Sequence, residues 1–435
     1  MDPQLRAIRQ AAREKFLQAN APKPSKAAVA DSALPEFLAH LPPERLQQSI
    51  GSLLADAPPE PPPKRAKPSP DVVVIPKERT EEIQALLRQP APKEFRVLSW
   101  NIDGLDEVGG AQALMQRCLA VAKEVAIQRP AAVLLQEVIP PALELLASPK
   151  VLGGTYEVVV PKDPPLPYYV AILLDKQRLR ALEPPSTAAF PGTQMGRQLL
   201  SVAAKVLDAE APPVVIATAH LESTKDHGVE RKRQLLQCLR FLRSELGRAV
   251  SGGRVGAAML GGDLNLRDEE VKAVQKELGD GSGLCDAWVA CGSPENERWT
   301  WDTSANTNIG ASFVCKTRFD RLFFLSDWSL SSPKARGMAI ASGKAKAKAK
   351  AKDLFQKAEA VPCDGWRPTS FALLGKAKVP GLGRFPSDHW GILTSWAWSE
   401  APQAPEPAAA ATSAEAKAKG FGLKPSDGEG AIDLD

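Results

Sequence analysis

Asp263 and Asn265, in Leu260-Gly261-Gly262-Asp263-Leu264-Asn265, set a carboxylate and an amide two residues apart. Successive side chains of an extended chain alternate between faces, so these two emerge together. A carboxylate there can take a proton or hold a metal, and an amide can aim a water or a phosphate. An Asx-turn capping a helix that begins near Asp268 accounts for the same residues without chemistry. Other clusters of the same kind bear on the choice. Asn101 and Asp103 repeat the spacing in Ser99-Trp100-Asn101-Ile102-Asp103-Gly104. Glu137 follows the apolar run Ala131–Leu134, and His220 follows Val214–Ala217. Asp320 stands between Arg318 and Arg321, and Asp388-His389 precedes the last apolar run. Singly, each reads as a solvated acid, a structural histidine or a surface ion pair of little worth. Yet the chain has four histidines, and two of them close such clusters. Polar groups gathered at strand ends are how α/β folds build a site. Carboxylates offer hard oxygens to Mg²⁺, and imidazoles and amides can neutralise charge on a phosphate.

Strands are needed to position these groups. From Phe95 onward, apolar runs of strand length alternate with helical spacing. Strands are expected at Phe95–Trp100, Ala131–Leu135, Val158–Val160, Tyr169–Leu174, Leu199–Leu207, Val214–Ala219, Val255–Leu260, Arg318–Phe324 and Trp390–Trp396. Helices are expected over Ala111–Ile127, Val229–Leu246 and near Glu269–Leu278. The pattern predicts one large α/β domain over residues 95–398.

The remaining segments differ in composition. Residues 1–56 hold three short helical patterns, at Gln4–Gln18, Leu34–Leu41 and Pro43–Leu54, with few apolar residues. They suit a small module that binds a protein partner, and turnover is expected without residues 1–90. Residues 57–94 read as a linker, because Ala57–Pro70 holds seven prolines in 14 residues. Within it, Lys64-Arg65-Ala66-Lys67 fits a nuclear localisation signal, with the cytoplasm as a second compartment. Residues 331–360 read as an exposed insertion, since GKAKAKAKAK at 343–352 suits neither a one-faced helix nor a buried strand. Its lysines can add non-specific attraction to phosphates. Residues 399–435 read as a disordered acidic tail and a second place for a protein partner. The net charge of +4 is too small to argue nucleic-acid binding from composition. None of the six cysteines shares a C-x-x-C spacing, which argues against a zinc ribbon and fits a reducing compartment. No apolar run reaches ~18 residues, so no membrane span is expected. A monomer with no secretory leader is expected.

Seven stretches, in order, resemble the endonuclease/exonuclease/phosphatase superfamily, which includes deoxyribonuclease I and the abasic-site endonucleases. They are SWNIDGLD (99–106), LLQEVIPP (134–141), AHLESTKDHGVERKRQL (219–235), GGDLNLRDEEV (261–271), TWDTSANTN (300–308), CKTRFDRLFF (315–324) and GRFPSDHWGIL (383–393). The resemblance implies a four-layer sandwich of two packed β-sheets flanked by helices. It implies that Glu137 binds a catalytic Mg²⁺, with Asp103 and Asp388 in or beside the metal site and Mn²⁺ as a substitute. Asn101 would contact phosphate and help shape that site. Asp263 would position and deprotonate the attacking water, and Asn265 would orient the water or the phosphate. His220 and His389 would stabilise the transition-state oxygens, with Asp320 fixing the tautomer of His389. Trp301 would pack against the DNA end, and Arg197, Lys225 and Arg267 would contact DNA or phosphate. Tyr168 would stand beside the scissile group. Lys225 replaces an arginine and loses its bidentate fork. Leu264 replaces a threonine and is expected to point away from the site.

Within the superfamily the resemblance is greatest to members that cleave a topoisomerase tyrosine, or its peptide, from a DNA 5′-phosphate. The leaving phenolate, of pKa ~10, needs no strong general acid. One Mg²⁺, an oriented water and fixed positive groups suffice. The same fold also serves abasic-site endonucleases, general nucleases and RNA phosphodiesterases, and a non-catalytic DNA-binding scaffold stands as a further alternative.

Overall fold

The structure is a computed structural model, and it describes residue 73 and residues 75–207, 209–279, 283–331 and 365–399. The N-terminal helical patterns, the basic cluster at 64–67, the Lys/Ala stretch and the acidic tail lie outside the described residues. The first elements are α1 (Lys77–Leu87), β1 (Phe95–Asn101), α2 (Gly110–Gln128), β2 (Ala132–Val138), α3 (Pro140–Ala147), β3 (Tyr156–Val159) and β4 (Tyr169–Asp175). There follow β5 (Leu179–Ala181), β6 (Ser186–Ala189), β7 (Gln198–Val206), β8 (Val214–Ala219), α4 (Gly228–Glu245), β9 (Ala249–Val250), β10 (Gly253–Arg254) and β11 (Ala257–Asp263). The rest are α5 (Asp268–Leu278), β12 (Cys285–Asp286), α6 (Ala287–Ala290), β13 (Trp301–Asp302), β14 (Lys316–Thr317), β15 (Asp320–Ser326), α7 (Asp327–Ser331), β16 (Gly365–Leu374) and β17 (Gly391–Ser399).

Two sheets result. One has the order β16-β17-β1-β2-β4-β3; the other runs β12-β15-β11-β8-β7-β5, with β6 paired to β7. Each has one parallel pair at its centre, β1 with β2 and β8 with β11, and antiparallel neighbours elsewhere. The central strands read as nearly continuous apolar runs because both of their faces are covered. Alternate residues face the other sheet: Val97, Leu134, Ile216, Met259 and Phe324 share one core. Their neighbours Leu98, Val133 and Leu135 pack against α1, α2 and α3. Ala217, Leu260 and Phe323 pack against α4 and α5. The result is the α/β/β/α sandwich that the resemblance implies.

The glycine pair before Asp263 serves close approach rather than a turn. A Cβ on Gly262 would lie 1.9 Å from the Ala219 carbonyl oxygen on β8. One on Gly261 would lie 2.6 Å from Leu134 Cδ1 on the facing sheet. Strand β11 therefore reaches the site wedged between its neighbour and the other sheet.

The reading of 57–94 as a linker needs correction. Residues 77–87 form α1, which buries Ile83 and Leu87 in the core under the first sheet. Arg129 also donates to the Leu87 carbonyl at 2.6 Å. The linker reading extended the proline-rich composition of Ala57–Pro70 over the stretch KERTEEIQALL, whose residues are good helix formers and whose apolar side pins it to the domain. A deletion of residues 1–90 would thus cut into the folded unit. No described helix is long and apolar enough to cross a membrane.

The strands meet at one edge. Strands β1, β2, β8 and β11 end there, and β4, β7, β15 and β17 begin there, as their registers require. Strand β15 runs away from that edge to Ser326, and β16 begins at the far end, where Gly365 pairs with Ser399.

Candidate active site

Asp263 closes β11 and is the hub of the edge. Its Oδ2 accepts the Asn101 amide at 3.0 Å and lies 3.3 Å from His220 Nε2 and 3.6 Å from His389 Nε2. Its Oδ1 accepts the Asn265 backbone N–H at 3.1 Å. The Asx-turn is present but does not cap α5, whose N-cap is Arg267, and the other oxygen is left to face the imidazoles. Asn265 adopts φ 51°, so the extended-chain picture of Asp263 and Asn265 side by side does not apply. Its amide instead donates to the Leu221 carbonyl at 3.2 Å. Leu264 is buried under α4 and α5, away from the site. Asn101 repeats the device, its Oδ1 accepting the Asp103 N–H at 3.0 Å with Asp103 at φ 50°. Glu137 and Thr224 are also left-handed, at 54° and 66°. Such conformations cost about 1–3 kcal/mol each and persist where surrounding structure imposes them. Four of the six non-glycine examples among the described residues lie in the motif clusters, which marks this edge as the strained one.

Asp263 and Asp320 sit directly opposite each other in the β11–β15 register. Like charges so placed repel. His389 bridges them: its Nδ1 is 2.8 Å from Asp320 Oδ2 while Nε2 faces Asp263. Burial alone would lower the pKa of this ring, but Asp320, Asp263 and Asp388 outweigh it and raise the pKa well above the ordinary value. Burial raises Asp320, which His389 counters and Asp263 reinforces. Between two carboxylates the proton belongs on the ring, so His389 is an imidazolium near neutral pH. Burial would also raise Asp263, but His389 and His220 reverse this and hold it well below the usual carboxylate range.

His220 is the opposite case. Burial and the Arg197 guanidinium push its pKa down. Arg197 Nη1 lies 2.7 Å from His220 Nδ1. Because arginine can only donate, Nδ1 must accept, and the single ring proton sits on Nε2, facing Asp263. A neutral imidazole and a charged one thus flank a single carboxylate oxygen. Activity that uses charged His389 should hold above pH 6.5 and fall as pH rises through its raised pKa. In Asp320→Asn that alkaline fall should move to lower pH, as read from kcat/KM profiles. An unmoved limb would show that Asp320 does not set the charge of His389.

The backbone around these groups is tied by residues to which the sequence assigned no role. Ser387 Oγ donates to the Asn101 carbonyl at 2.6 Å and accepts the His389 N–H at 3.0 Å. Trp100 Nε1 donates to the His389 carbonyl at 3.0 Å. Thr300 Oγ1 accepts the Asp320 N–H at 3.1 Å. Gln136 spans the two sheets to Thr218 Oγ1 at 3.0 Å. Arg117 on α2, 1% exposed, donates to the carbonyls of Ile102, Asp103, Asp106 and Pro386 at 3.0–3.3 Å. It joins the loop after β1 to the loop before β17. Sequence reading missed Arg117, although its place on the buried stripe with Ala113 and Val121 was a signal: a charge on an apolar helical face needs partners.

Three carboxylates expected to hold metal are not gathered as one group. Asp103 is 3% exposed and lies 3.8 Å from Arg117 Nη1. Asp388 Oδ1 is 4.0 Å from His389 Nε2. The group of metal-binding type among the described residues is Asp263, Asp320 and His389, with ligand atoms within 4.8 Å of one another. His389 Nδ1 and Asp320 already share a hydrogen bond, so this trio reads first as a relay that orients the ring. Glu137, at the end of β2 and half-buried, offers hard oxygens at the same edge. Mg²⁺ commonly takes only one or two protein carboxylates, with water and substrate filling the rest. The donor set therefore fits a hard divalent cation.

The remaining predicted contacts lie around this edge. Tyr168 donates to the Met195 carbonyl at 3.2 Å, and Arg197 Cζ stands 5.4 Å from its ring centroid. A pocket beside His220 is lined by Tyr168, Tyr169, Gly196, Arg197 and Gln198. Lys225 is exposed. Arg267 precedes α5, its N–H held by Glu270 at 2.9 Å and its guanidinium 5.9 Å from the Phe319 ring centroid. Trp301 is 7% exposed and packs on Phe319 with Ile309, leaving little of the indole open to a base.

No family model matches the chain. Tyrosyl-DNA phosphodiesterase 2 of Xenopus tropicalis is 32% identical over 327 residues, which is 75% of this chain and 72% of that protein. The chain belongs to the tyrosyl-DNA phosphodiesterase 2 family. The Gallus gallus member is 36% identical over 299 residues, covering 69% of this chain and 66% of its own. Among solved structures of the family, D. rerio TDP2 complexed with a single-strand DNA product aligns with a TM-score of 0.54 at 30% identity. That alignment covers 70% of this chain and 100% of that one. Truncated Caenorhabditis elegans TDP2 aligns with a TM-score of 0.52 at 30% identity, covering 70% and 97%.

Proposed function

We propose that this protein hydrolyses the phosphodiester bond between a tyrosine and a DNA 5′-phosphate, releasing DNA from topoisomerase adducts. The observation that carries the reading is the Asp263 carboxylate held between a neutral and a charged imidazole, in a chain of the tyrosyl-DNA phosphodiesterase 2 family. Asp263 is a weak base, because its neighbours hold its pKa low. That suits phosphoryl transfer, where a loose transition state asks little deprotonation of the water until it bonds to phosphorus. The water oxygen bonds to phosphorus, its proton passes to Asp263, and the bond to the tyrosine oxygen breaks with the electron pair leaving as phenolate. His389 sets positive charge against the phosphoryl oxygens, and His220 offers its Nε2 proton. The Tyr168–Arg197 pocket beside His220 supplies an aromatic and a cationic wall for the departing ring. Glu137, with Asp388 close to His389, would hold a Mg²⁺, which Mn²⁺ can replace. That ion supplies Lewis-acid charge at the phosphate. Arg267 and Lys225 belong to the DNA-facing side of the reading, and Trp301 supports that side from within through Phe319, on which Arg267 rests.

The test compares a 5′-phosphotyrosyl oligonucleotide with an abasic-site duplex, each with and without EDTA. Turnover of the first is expected to stop with EDTA and return with Mg²⁺. Faster cleavage of the abasic duplex would replace this substrate by another, and turnover indifferent to EDTA would remove the metal.

A further inference from the structure

Glu222 is fully buried two residues beyond His220, and the chemistry above makes no use of it. Its Oε1 accepts three hydrogen bonds from one loop: Thr193 Oγ1 at 2.6 Å, Gln194 N at 2.7 Å and Met195 N at 3.1 Å. Its Oε2 accepts none. Its own N–H is fixed to Gln234 Oε1 on α4 at 2.9 Å. Burying such a group is costly unless several donors meet it, and an apolar side chain would fill the space more cheaply. The loop it gathers leads into Arg197. Thr193 Oγ1 accepts the Arg197 N–H at 2.8 Å, and the Met195 carbonyl accepts the Tyr168 hydroxyl at 3.2 Å. His227 holds the same loop from outside, its Nε2 3.2 Å from Gln194 Oε1. One buried oxygen therefore sets the backbone that aims Arg197 at His220 Nδ1 and backs Tyr168 against Arg197.

We propose that Glu222 is a positioning residue, which fixes the Tyr168–Arg197 wall for the departing phenol and, through Arg197, the tautomer of His220. The leaving-group half of this rests on the tyrosyl-DNA reading; the tautomer half does not. Two readouts separate them. The first needs no substrate: in ¹⁵N NMR of the full chain, the His220 ring should be the Nε2–H tautomer. Glu222→Ala should turn it into a mixture. Thr193→Val removes the hydroxyl that links Glu222 to the Arg197 N–H while leaving Glu222 itself in place, so it should do likewise even if the alanine variant folds poorly. An unchanged tautomer in Thr193→Val and in any folded Glu222→Ala overturns the proposal.

The second readout compares kcat/KM on 5′-aryl DNA substrates whose leaving groups are tyrosine and the far more acidic 4-nitrophenol. A misplaced wall should cost about 100-fold on tyrosine but under about tenfold on 4-nitrophenol. Glu222→Gln, which keeps the acceptor oxygen, should retain most activity on both. Equal losses on the two substrates would reduce Glu222 to a structural residue. Wild-type protein inactive on the tyrosyl substrate would sink the substrate reading, while the NMR result still judges Glu222.

Discussion

Asp263→Asn should remove turnover of a 5′-phosphotyrosyl oligonucleotide, by on the order of 10³-fold or more, while the chain stays folded. Both carboxylate oxygens of Asp263 accept: Oδ1 from the Asn265 N–H, and Oδ2 from Asn101 with the His220 proton facing it. An asparagine brings one acceptor and one NH₂ group, so either rotamer sets N–H against N–H. The variant loses the proton acceptor and one of the carboxylates that hold His389 charged. It gains relief from the Asp263–Asp320 repulsion, so its thermal midpoint should change far less than its rate. Circular dichroism and a melting curve beside the assay would separate the two effects. A rate within tenfold of wild type would take the proton-accepting role away from Asp263.

The largest expected effect on stability lies at Arg117. Arg117→Met leaves four carbonyls without their buried donor and removes the cation 3.8 Å from the Asp103 carboxylate, while Asp106 keeps Arg384 at 2.7 Å. Removing one partner of a buried ionic network costs about 3–5 kcal/mol, because the other charge stays behind. The loss should appear as a lower urea midpoint. Activity should fall as well, since the Pro386 carbonyl and the Asp103 backbone hang on the same guanidinium. A midpoint within error of wild type would mean that water satisfies those groups as well as arginine does.

Much of the site was legible because its residue types are rare and its spacing regular. Strand ends at Asn101, Glu137, His220, Asp263 and His389 followed from the apolar runs before or after them. The four layers came from the superfamily resemblance, and continuous apolar strands agree with them. The partner of each group was harder to read. Nothing local says that Asp263 stands opposite Asp320, since register across 57 positions of chain is a tertiary fact. Nor does sequence reveal that Asn101 spends both ends of its amide inside the protein, or that Arg117 lies 3.8 Å from the Asp103 carboxylate. The opposite protonation states of His220 and His389 follow from Arg197 on one ring and two aspartates on the other, and these come from distant strands. Helix α1 was taken for linker because the prolines of Ala57–Pro70 coloured the whole of 57–94, while Ile83 and Leu87 gain their meaning only in the core under the first sheet.

The direction of β15 has one more consequence. The strand leaves the site at Asp320, and the chain is next described at Gly365, at the far end of β16, where Ser326 Oγ also reaches the Trp366 carbonyl at 2.7 Å. The chain therefore leaves the described fold after Ser331 and re-enters it at Gly365 a full strand's length from the reacting groups. The fold has a working rim and an opposite, permissive rim. A change in length between Ser331 and Gly365 is thus joined to the fold at the rim that carries none of the reacting groups.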